Sequence, residues 1–396
     1  MKIIAFVGET FQKYYGRCYA KPTSAAFLQD TIGKDNVYVC SPCVDADVKP
    51  KDFSTEVDES HFYAFPSYSS TKDFALKTLF KRGYLKQYQN AADDIIKQHP
   101  GEYFWIRTPS IGSIVFGLRA LAAGETVIHH MCADASNTWR DAKYSLPEKL
   151  FGFLLSRFIR RKLSQICKHK NTINVCTGNV LEEFSKKCSV HNTHQFVDVM
   201  VKEPQIALSH NKQPEQLALL FVGRIVEDKG IFDLINVVSE FAGRVKVKIA
   251  GGGPDLEKAK ELVDKLNMQE HIVFTGQLPH HQLSQLYCES DAVVVPSNNF
   301  YEGFPRVIME GWSHHKPVIV SQVGGVKAFV KNKENGLIFT PGSQLELKKH
   351  INDLLLNDVL YQAVKAGAEG MAEKSTQDYW VNVLKTILIR DKQNEA

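Results

Sequence analysis

Short apolar runs alternate with segments of helical periodicity along the chain, and this alternation constrains the fold more than any other feature of the sequence. Strands are predicted at Lys2–Val7, Val37–Cys40, Tyr103–Arg107, Thr126–His129 and Thr172–Cys176, and then at Leu217–Val222, Val245–Ala250, His271–Phe274, Ala292–Val295 and Pro317–Val320. Helical periodicity lies between them, for example near Thr71–Gln98 and Glu148–Lys168. Strands that alternate with helices predict an α/β fold with parallel sheets.

The chain is long enough for two domains, because 396 residues exceed the usual size of one. A polar stretch bounded by two prolines separates the two series of strands. The boundaries that we predict are an N-terminal α/β domain at 1–203, a linker at 204–215, a C-terminal α/β domain at 216–374 and an apolar-faced helix at 375–396.

Charge is unevenly distributed, since residues 1–200 carry 26 Lys and Arg against 20 Asp and Glu while the whole chain has a net charge of +4. The N-terminal half is therefore expected to meet anionic partners more readily than the C-terminal half. The eight cysteines have no second pair at zinc spacing and are expected to be inert thiols in a reducing compartment. The first residues predict a strand that ends at Gly8 rather than a secretion signal, and no apolar run is long enough to span a membrane. A cytoplasmic protein without a nucleic acid partner is expected.

Residues 149–170 form a basic segment with seven Lys and Arg, no acid and many Phe and Leu. One interpretation is an amphipathic helix that lies on an anionic membrane surface. The other is a core helix with a solvated basic face. Both remain open from the sequence.

Two elements of the second half have the residue types of a diphosphate and sugar site. Arg224 and Lys229 stand in a predicted strand-to-helix loop, where two cations and a helix N-terminus suit a diphosphate. Glu302 and Glu310 flank the start of a predicted helix and would be about 10 Å apart if the segment is helical. Such a pair can accept from sugar and ribose hydroxyls. The alternative is surface charges in both places.

A third element, residues 251–254, has three glycines followed by a proline. The glycines permit a ligand to approach the backbone closely. Pro254 stands where a dinucleotide-binding fingerprint needs helix, which argues against a nicotinamide site.

Together these elements resemble the GT4 family of retaining glycosyltransferases, from Leu217 to about Gly342. The matching motifs are Val222-Gly-Arg-Ile…Lys229-Gly, Ile249-Ala-Gly-Gly-Gly-Pro, Phe274-Thr-Gly-Gln-Leu, Ser290-Asp-Ala-Val-Val-Val-Pro-Ser297, the segment Glu302 to Glu310, Lys316-Pro-Val-Ile-Val and Gly324-Gly325…Asn335-Gly-Leu337. The resemblance implies the GT-B fold, in which two Rossmann-like, doubly wound domains face a central cleft and the last helix crosses back to the first domain. The segment Gly311–His315 departs from the small residues usual in the family, which puts the local helix packing in doubt.

The resemblance also assigns roles to residues. The implied donor contacts are Arg224 and Lys229 on the diphosphate, Gly252 nearby, Glu302 with the backbone of Gly303 and Phe304 on the sugar, Glu310 on the ribose and the backbone near Leu278 on the base. The candidates to orient the reacting sugar or the acceptor are His129, His130 and Asp134, with Glu302 as the fourth catalytic candidate. The candidate acceptor contacts are Gly16 and Arg17, expected in a loop, and Arg107.

The reaction implied is retaining transfer of a sugar from a UDP- or GDP-sugar to a glycan or lipid-linked acceptor, in the synthesis of a cell-surface polysaccharide or lipopolysaccharide, with a location at the inner membrane face as an option. No cofactor or metal is expected, because the leaving diphosphate accepts the acceptor's proton. The pair Asp45 and Asp47 is interpreted as part of a loop, far in sequence from the donor motifs. The alternatives are a nucleotide-sugar epimerase or phosphorylase, or a non-catalytic nucleotide-sugar-binding protein, on the same architecture.

Overall fold

The structure is a computed structural model that describes residues 1–21, 24–50, 53, 55–134, 136–140, 144–189, 192–204, 212–213, 215–241, 243–278, 280–299 and 301–395. The chain forms two compact α/β units, Met1–Asp198 and Val199–Ala396. Most of the predicted linker at 204–215 lies outside the described residues, so the linker stays a prediction. Among the described residues, no helix combines the length and the apolar character needed to cross a membrane.

The N-terminal unit has one mixed sheet with helices between its parallel strands. Its strands are β1 (Ile3–Phe6), β2 (Phe11–Tyr14), β3 (Arg17–Ala20), β4 (Val37–Asp45), β5 (Thr55–Asp58), β6 (Phe62–Phe65), β7 (Tyr103–Thr108), β8 (Thr126–Met131), β9 (Thr172–Cys176) and β10 (Thr193–Gln195). Its helices are α1 (Ser24–Ile32), α2 (Thr71–Phe80), α3 (Tyr84–Gln98), α4 (Ile111–Ala122), α5 (Leu146–Lys168) and α6 (Asn179–Cys188). The strand order is β10-β9-β8-β7-β1-β4-β2-β3-β5, with β6 also paired to β4.

The buried strands of this unit are short runs of large apolar residues, as expected for strands covered on both faces. All four residues of β1 are buried, and β9 has the predicted bounds. The helical region predicted near Thr71–Gln98 is two helices, because Gly83 between them adopts a left-handed conformation with φ 83°. The predicted loop around Gly16 is instead a β-hairpin, since β2 and β3 pair antiparallel on either side of Tyr15 and Gly16, both at positive φ.

The C-terminal unit has a fully parallel sheet. Its strands are β11 (Leu217–Val222), β12 (Val245–Ala250), β13 (Ile272–Gly276), β14 (Ala292–Val295), β15 (Val318–Ser321) and β16 (Gly336–Phe339). Its helices are α7 (Ile231–Ser239), α8 (Leu256–Lys265), α9 (His280–Glu289), α10 (Arg306–Ser313), α11 (Gln344–Leu356), α12 (Asp358–Glu369) and α13 (Gln377–Glu395). The strand order is β13-β12-β11-β14-β15-β16.

The core of the C-terminal unit consists of these strands and the inner faces of its helices. Strand β14 is four apolar residues, all buried, and strands β11, β12 and β14 have the predicted bounds. The chain runs outward from β11 to β12 and β13 and then returns to β14, on the other side of β11. The direction of winding therefore reverses between β11 and β14, and this reversal places the loops after these two strands side by side.

Candidate functional site

The charged residues predicted from sequence in the C-terminal unit follow the two strands where the winding reverses. Arg224 and Lys229 come after β11, and Glu302 comes after β14. Ligands of open parallel α/β sheets bind at the carboxyl ends of the strands, at such a reversal. The topology therefore brings three of the predicted donor-binding residues to the usual position of a ligand site.

Lys229 and Glu302 form an ion pair at this position. The Nζ of Lys229 lies 2.6 Å from Oε1 of Glu302, and the two side chains are only 18% and 12% exposed. The approach of the two loops requires glycine at position 230, where φ is 70° and a Cβ would lie 1.9 Å from the carbonyl oxygen of Pro296. Gly230 therefore allows the two loops to approach closely enough for the ammonium of Lys229 to pair with the carboxylate of Glu302.

Asn299 holds Glu302 by both backbone and side chain. Its Oδ1 accepts from the backbone N–H of Glu302 at 2.9 Å, and its Nδ2 donates to Oε2 of Glu302 at 2.7 Å. Gly324 packs against the same segment, since a Cβ there would lie 1.9 Å from the carbonyl oxygen of Glu302. Each carboxylate oxygen has two acceptor sites, so the held carboxylate can still accept from a ligand hydroxyl.

Arg224 reaches the same region through Tyr301. Its Nη2 donates to Oη of Tyr301 at 3.3 Å, and this hydroxyl donates to Oδ2 of Asp228 at 3.0 Å. Burial, followed by the charge of Asp228, raises the pKa of Tyr301 above its ordinary value, so the phenol stays protonated. A guanidinium has five N–H donors, and Arg224 therefore remains able to bind an anion while it contacts Tyr301.

Glu310 projects from α10, one turn after the helix begins, and a buried phenol holds it. The Oη of Tyr287 donates to Oε2 of Glu310 at 2.7 Å. Tyr287 is almost fully buried, and its ring stacks on His314 at 4.7 Å between centroids. Burial, followed by the adjacent carboxylate of Glu310, raises the pKa of Tyr287 well above its ordinary value, so it remains a donor.

The segment Gly311–His315, whose packing was in doubt from the sequence, is well accommodated. Trp312 is fully buried and its Nε1 donates to the carbonyl oxygen of Asn335 at 2.9 Å. A Cβ at Gly311 would lie 3.1 Å from a methyl of Val293, so the helix packs closely on the sheet there. The large residues fill the interior of the unit, and the start of α10 keeps its place beside Glu302.

The three glycines after β12 differ from one another. A Cβ at Gly251 would lie 1.9 Å from the carbonyl oxygen of Gly223, and a Cβ at Gly253 would lie 2.2 Å from that of Ile225. A Cβ at Gly252, the predicted donor contact, would meet open space. The outer two glycines are therefore required by the fold, and only Gly252 is free to serve a ligand.

Three of the predicted donor contacts, at Gly303, Phe304 and Leu278, would be made by backbone atoms. The carbonyl oxygen of Gly303 accepts from the N–H of Gly325. The side chain of Phe304 is buried and its ring meets that of Phe329 at 5.0 Å, which leaves the Phe304 backbone as its polar part. Leu278 is half-buried just after β13.

In the N-terminal unit, His129 and His130 lie inside β8, which continues to Met131 instead of ending at His129 as predicted. Both side chains are fully buried. His129 is within hydrogen-bond distance of Thr108 Oγ1 at 2.9 Å and Asn174 Oδ1 at 3.1 Å, and His130 is 3.0 Å from Oγ1 of Thr177.

This placement is typical of structural histidines. Burial lowers the pKa of His129 to about 3 despite its bond to Asn174, so the imidazole is neutral at ordinary pH. The predicted contact of either His129 or His130 with a reacting sugar stays a prediction, and the structure gives both rings partners inside the unit.

Asp134 lies in the loop after β8 and faces a cavity of about 140 Å³. Its Oδ1 accepts from the backbone N–H of Ser136 at 2.8 Å. Arg160 of α5 and Lys187 of α6 also line this cavity. Of the three N-terminal catalytic candidates, Asp134 is therefore the one with its carboxylate at an accessible surface.

The predicted acceptor contacts are in two places. Gly16 is at the tip of the β2–β3 hairpin, and Arg17 forms an exposed ion pair with Glu56 across to β5. Arg107 is near the end of β7, where its Nη1 donates to Oε1 of Glu9 at 2.7 Å. The expectation of a long loop around Gly16 and Arg17 was wrong, because the backbones of Phe11–Tyr14 and Arg17–Ala20 pair as antiparallel strands.

Sequence reasoning missed the residues that hold the two glutamates. Asn299 and Tyr301 stand three and one residues before Glu302, and this proximity was a signal that could have drawn attention to them. Tyr287 is 23 residues before Glu310, and nothing in the sequence marks it as a partner.

Comparison with known proteins finds sequence similarity in the C-terminal unit. Residues 203–371 match the family model described as glycosyl transferases group 1, a range that includes Arg224, Lys229, Glu302 and Glu310. The chain is 35% identical over 131 residues to the uncharacterized glycosyltransferase MJ1607 of Methanocaldococcus jannaschii, which is 33% of each chain. It is 26% identical over 178 residues to the lipopolysaccharide 1,6-galactosyltransferase of Salmonella typhimurium, covering 44% of this chain and 47% of that protein. The chain thus spans a third to about half of the length of the curated relatives it matches.

Similarity of structure extends over nearly the whole chain. The crystal structure of HepE from Anabaena in complex with UDP aligns with 98% of this chain and all of its own, with a TM-score of 0.68 at 16% identity. The neighbours of this kind are GT-B glycosyltransferases, and the predicted fold class is confirmed. The family model matches residues of the C-terminal unit, the named relatives are similar over part of the chain, and the solved structures show the GT-B fold.

Proposed function

We propose that the chain is a nucleotide-sugar-dependent, retaining glycosyltransferase that transfers a sugar from a UDP- or GDP-sugar to a glycan or lipid-linked acceptor. The observation that carries this proposal is the Lys229–Glu302 pair, with Arg224 beside it, at the winding reversal of the unit that matches the family model. Cations and a carboxylate at one point suit the junction between a diphosphate and a sugar.

In the proposed complex, Arg224 and Lys229 bind the diphosphate, and Glu302 accepts from hydroxyls of the transferring sugar. Lys229 has three donors, of which one contacts Glu302, so it can bind a phosphate oxygen without leaving the carboxylate. Glu310 binds the ribose through the oxygen not held by Tyr287. The remaining donor contacts in this proposal are Gly252, the backbone of Gly303 and Phe304, and the backbone near Leu278.

The proposed chemistry balances within the two substrates. The bond from the anomeric carbon to the diphosphate oxygen breaks, the acceptor oxygen bonds to the same face of that carbon, and its proton moves to the departing diphosphate. Negative charge therefore grows on the diphosphate in the transition state. Fixed cations at that position stabilise it without reorganisation, which is the part we assign to Arg224 and Lys229. The scheme requires no metal and no cofactor.

The relatives support a nucleotide-sugar donor and a role in polysaccharide or lipopolysaccharide synthesis. HepE was solved with UDP and with UDP-glucose, and one curated relative is named a lipopolysaccharide galactosyltransferase. These names describe those proteins, and the donor and acceptor of this chain are part of the proposal.

A donor screen followed by product analysis tests the proposal. UDP- and GDP-sugars are compared by thermal shift, because a bound ligand stabilises the folded chain by mass action. The stabilising donor is then incubated with the chain, and the release of the nucleoside diphosphate and the fate of the sugar are measured. Release with transfer, or with slow hydrolysis when no acceptor is present, is expected. Conversion of the donor into its epimer, or tight binding without turnover, would contradict transfer in favour of one of the two alternatives.

A further inference from the structure

A stripe of exposed apolar side chains runs along α5 in the N-terminal unit. Leu146, Leu150, Leu154 and Phe158 are spaced four residues apart and are 83%, 64%, 60% and 51% exposed. Residues at this spacing lie on one face of a helix. Exposed apolar side chains that occur singly need no explanation, but a contiguous row of four marks an interaction surface.

The same helix carries a cluster of basic residues in its second half, from Arg157 to Lys162. The structure describes all of α5, and within it Glu148 is the single acid, whose carboxylate accepts from the backbone N–H of Ser145 and also contacts Lys72. After Glu148 the helix contains only basic charges, and the exposed residues Arg157 and Arg161 lie at the C-terminal end of the apolar stripe. A partner for this surface must therefore offer both an apolar layer and negative charge.

The long basic side chains lie along the aromatic rings of the helix. The guanidinium of Arg157 is 5.2 Å from the centroid of Phe153, and the ammonium of Lys162 is 5.7 Å from that of Phe158. Such side chains cover apolar surface with their stems and keep their charges at its edge. Trp139 packs edge-on against Phe153 at 5.3 Å, beside this face. Tryptophan next to Lys and Arg is typical of the boundary between lipid tails and headgroups.

We propose that this face of α5, residues 146–162, docks on the surface of an anionic lipid bilayer, with the apolar stripe among the upper acyl chains and the basic residues at the phosphates. A protein partner with an acidic rim shares part of this chemistry, but a narrow apolar row next to a cluster of basic residues with aromatic side chains between them fits a lipid surface better. Docking on lipid does not depend on the glycosyl transfer proposed above.

The chain has its own optical probe for this test. Of its four tryptophans, Trp105, Trp312 and Trp380 are buried, and Trp139 is the one that is partly exposed. With vesicles of phosphatidylglycerol and phosphatidylcholine, the full chain is expected to co-sediment and its fluorescence to shift to shorter wavelength. With vesicles of phosphatidylcholine alone, both signals should be much weaker. Trp139→Phe should remove the fluorescence shift and leave sedimentation unchanged.

Two double variants separate the charge from the apolar stripe. Arg157→Gln with Arg161→Gln should lower the partition coefficient about 25-fold, since each basic residue near an anionic surface contributes about a fivefold factor. Leu150→Gln with Leu154→Gln should lower it at least about tenfold, because the apolar surface is no longer removed from water. The matched control is Leu345→Gln with Val359→Gln, at two positions of the C-terminal unit that are 79% and 83% exposed, and it should bind like the wild type.

Several results would overturn lipid docking. Equal binding to neutral and anionic vesicles, or full binding by either double variant, would exclude this face as the contact. Absence of vesicle binding, together with a dimer in light scattering that the leucine variant dissolves, would assign the stripe to a contact between copies. Melting temperatures close to that of the wild type show that the variants fold, and release of nucleoside diphosphate from a soluble donor reports the donor site separately.

Discussion

The two units are both α/β, but they differ in the residues at the carboxyl ends of their parallel strands. In the C-terminal unit, the loops after the strands hold Arg224, Lys229 and Glu302, and helix α10 holds Glu310; these charged groups keep access to solvent. In the N-terminal unit, the corresponding end of β8 holds His129 and His130, fully buried with internal partners. Polar residues at the carboxyl ends of strands are therefore a functional signal only where their charge can reach a ligand. At this position the C-terminal unit presents charged groups to solvent, whereas His129 and His130 are packed inside the N-terminal unit.

The largest effect that tests this contrast is expected from Glu302→Gln. Glutamine can still accept from Asn299, but it has no charge to pair with Lys229. We expect kcat for transfer to fall about 100-fold or more, because an interaction that orients and stabilises the reacting sugar and diphosphate is lost. Steady-state kinetics at saturating donor concentration measure this change in kcat.

Glu289→Gln is the matched control for that variant. Glu289 also pairs with a lysine of the C-terminal unit, Lys248, but on an exposed surface with 41% of its side chain accessible. Its loss should leave kcat unchanged. Transfer by Glu302→Gln at more than a third of the wild-type rate, with the chain folded, would remove Glu302 from the proposed mechanism.

The structural role of buried His129 in the N-terminal unit can be tested by the pH dependence of stability. Burial lowers the pKa of His129 to about 3 in the folded chain, below the ordinary value near 6.5 in the unfolded chain. Between these values the unfolded state binds a proton that the folded state does not, so stability is retained at higher pH and falls as pH decreases through 6.5. From pH 7 to pH 5 this group should lower the free energy of unfolding by about 2 kcal/mol.

Urea unfolding of the wild type and His129→Gln at both pH values measures that difference. The variant should be less stable at pH 7, since a buried hydrogen-bonded ring is replaced, but it should lose about 2 kcal/mol less on acidification. Its kcat per folded molecule should equal that of the wild type. A 100-fold lower kcat with unchanged stability would instead make His129 a catalytic residue, as the sequence resemblance suggested.

These predictions show where sequence reasoning succeeds and where it stops. Strands β11 and β14 were predicted to the residue, because they are continuous apolar runs typical of buried parallel strands. Strands β9 and β12 were also predicted to the residue, although Asn174 and two lysines interrupt their apolar residues. The hairpin of β2 and β3 was missed, since neither Phe-Gln-Lys-Tyr nor Arg-Cys-Tyr-Ala alternates polar and apolar residues as a half-buried strand does.

In the candidate site, single residues could be predicted from the sequence but their contacts could not. Lys229 could be named from sequence because it stands before Gly230 in a strand-to-helix loop, and Glu302 because it stands before Gly303 at the start of a predicted helix. Their contact could not be predicted, because 73 residues separate them along the chain and only the return of β14 beside β11 joins them.

A smaller effect, on binding alone, is expected from Tyr287→Phe. The phenol donates to Glu310, and a hydrogen bond to a charged group contributes about 1.5–3 kcal/mol. If Glu310 binds the ribose in both the ground state and the transition state, loss of the hydrogen bond from Tyr287 should raise the donor KM about tenfold with little change in kcat. Tyr361→Phe is the control, a buried tyrosine of the same unit whose hydroxyl contacts the backbone of Asp291. An unchanged donor KM in Tyr287→Phe, or a fall in kcat alone, would contradict the ribose assignment.

The smallest effect on donor binding is expected at the glycines after β12, where one added methyl group distinguishes a glycine needed for the fold from one that is open to a ligand. Gly251→Ala should destabilise the chain strongly, because φ is 142° and the added Cβ would lie 1.9 Å from the carbonyl oxygen of Gly223. Gly252→Ala adds its methyl into open space, so its free energy of unfolding should stay within about 1 kcal/mol of the wild type. If the diphosphate approaches the backbone there, the same methyl should raise the donor KM a few fold while the melting temperature is unchanged. A donor KM equal to that of the wild type would mean that Gly252 lies away from the donor, and that glycine at this position serves neither the fold nor the site.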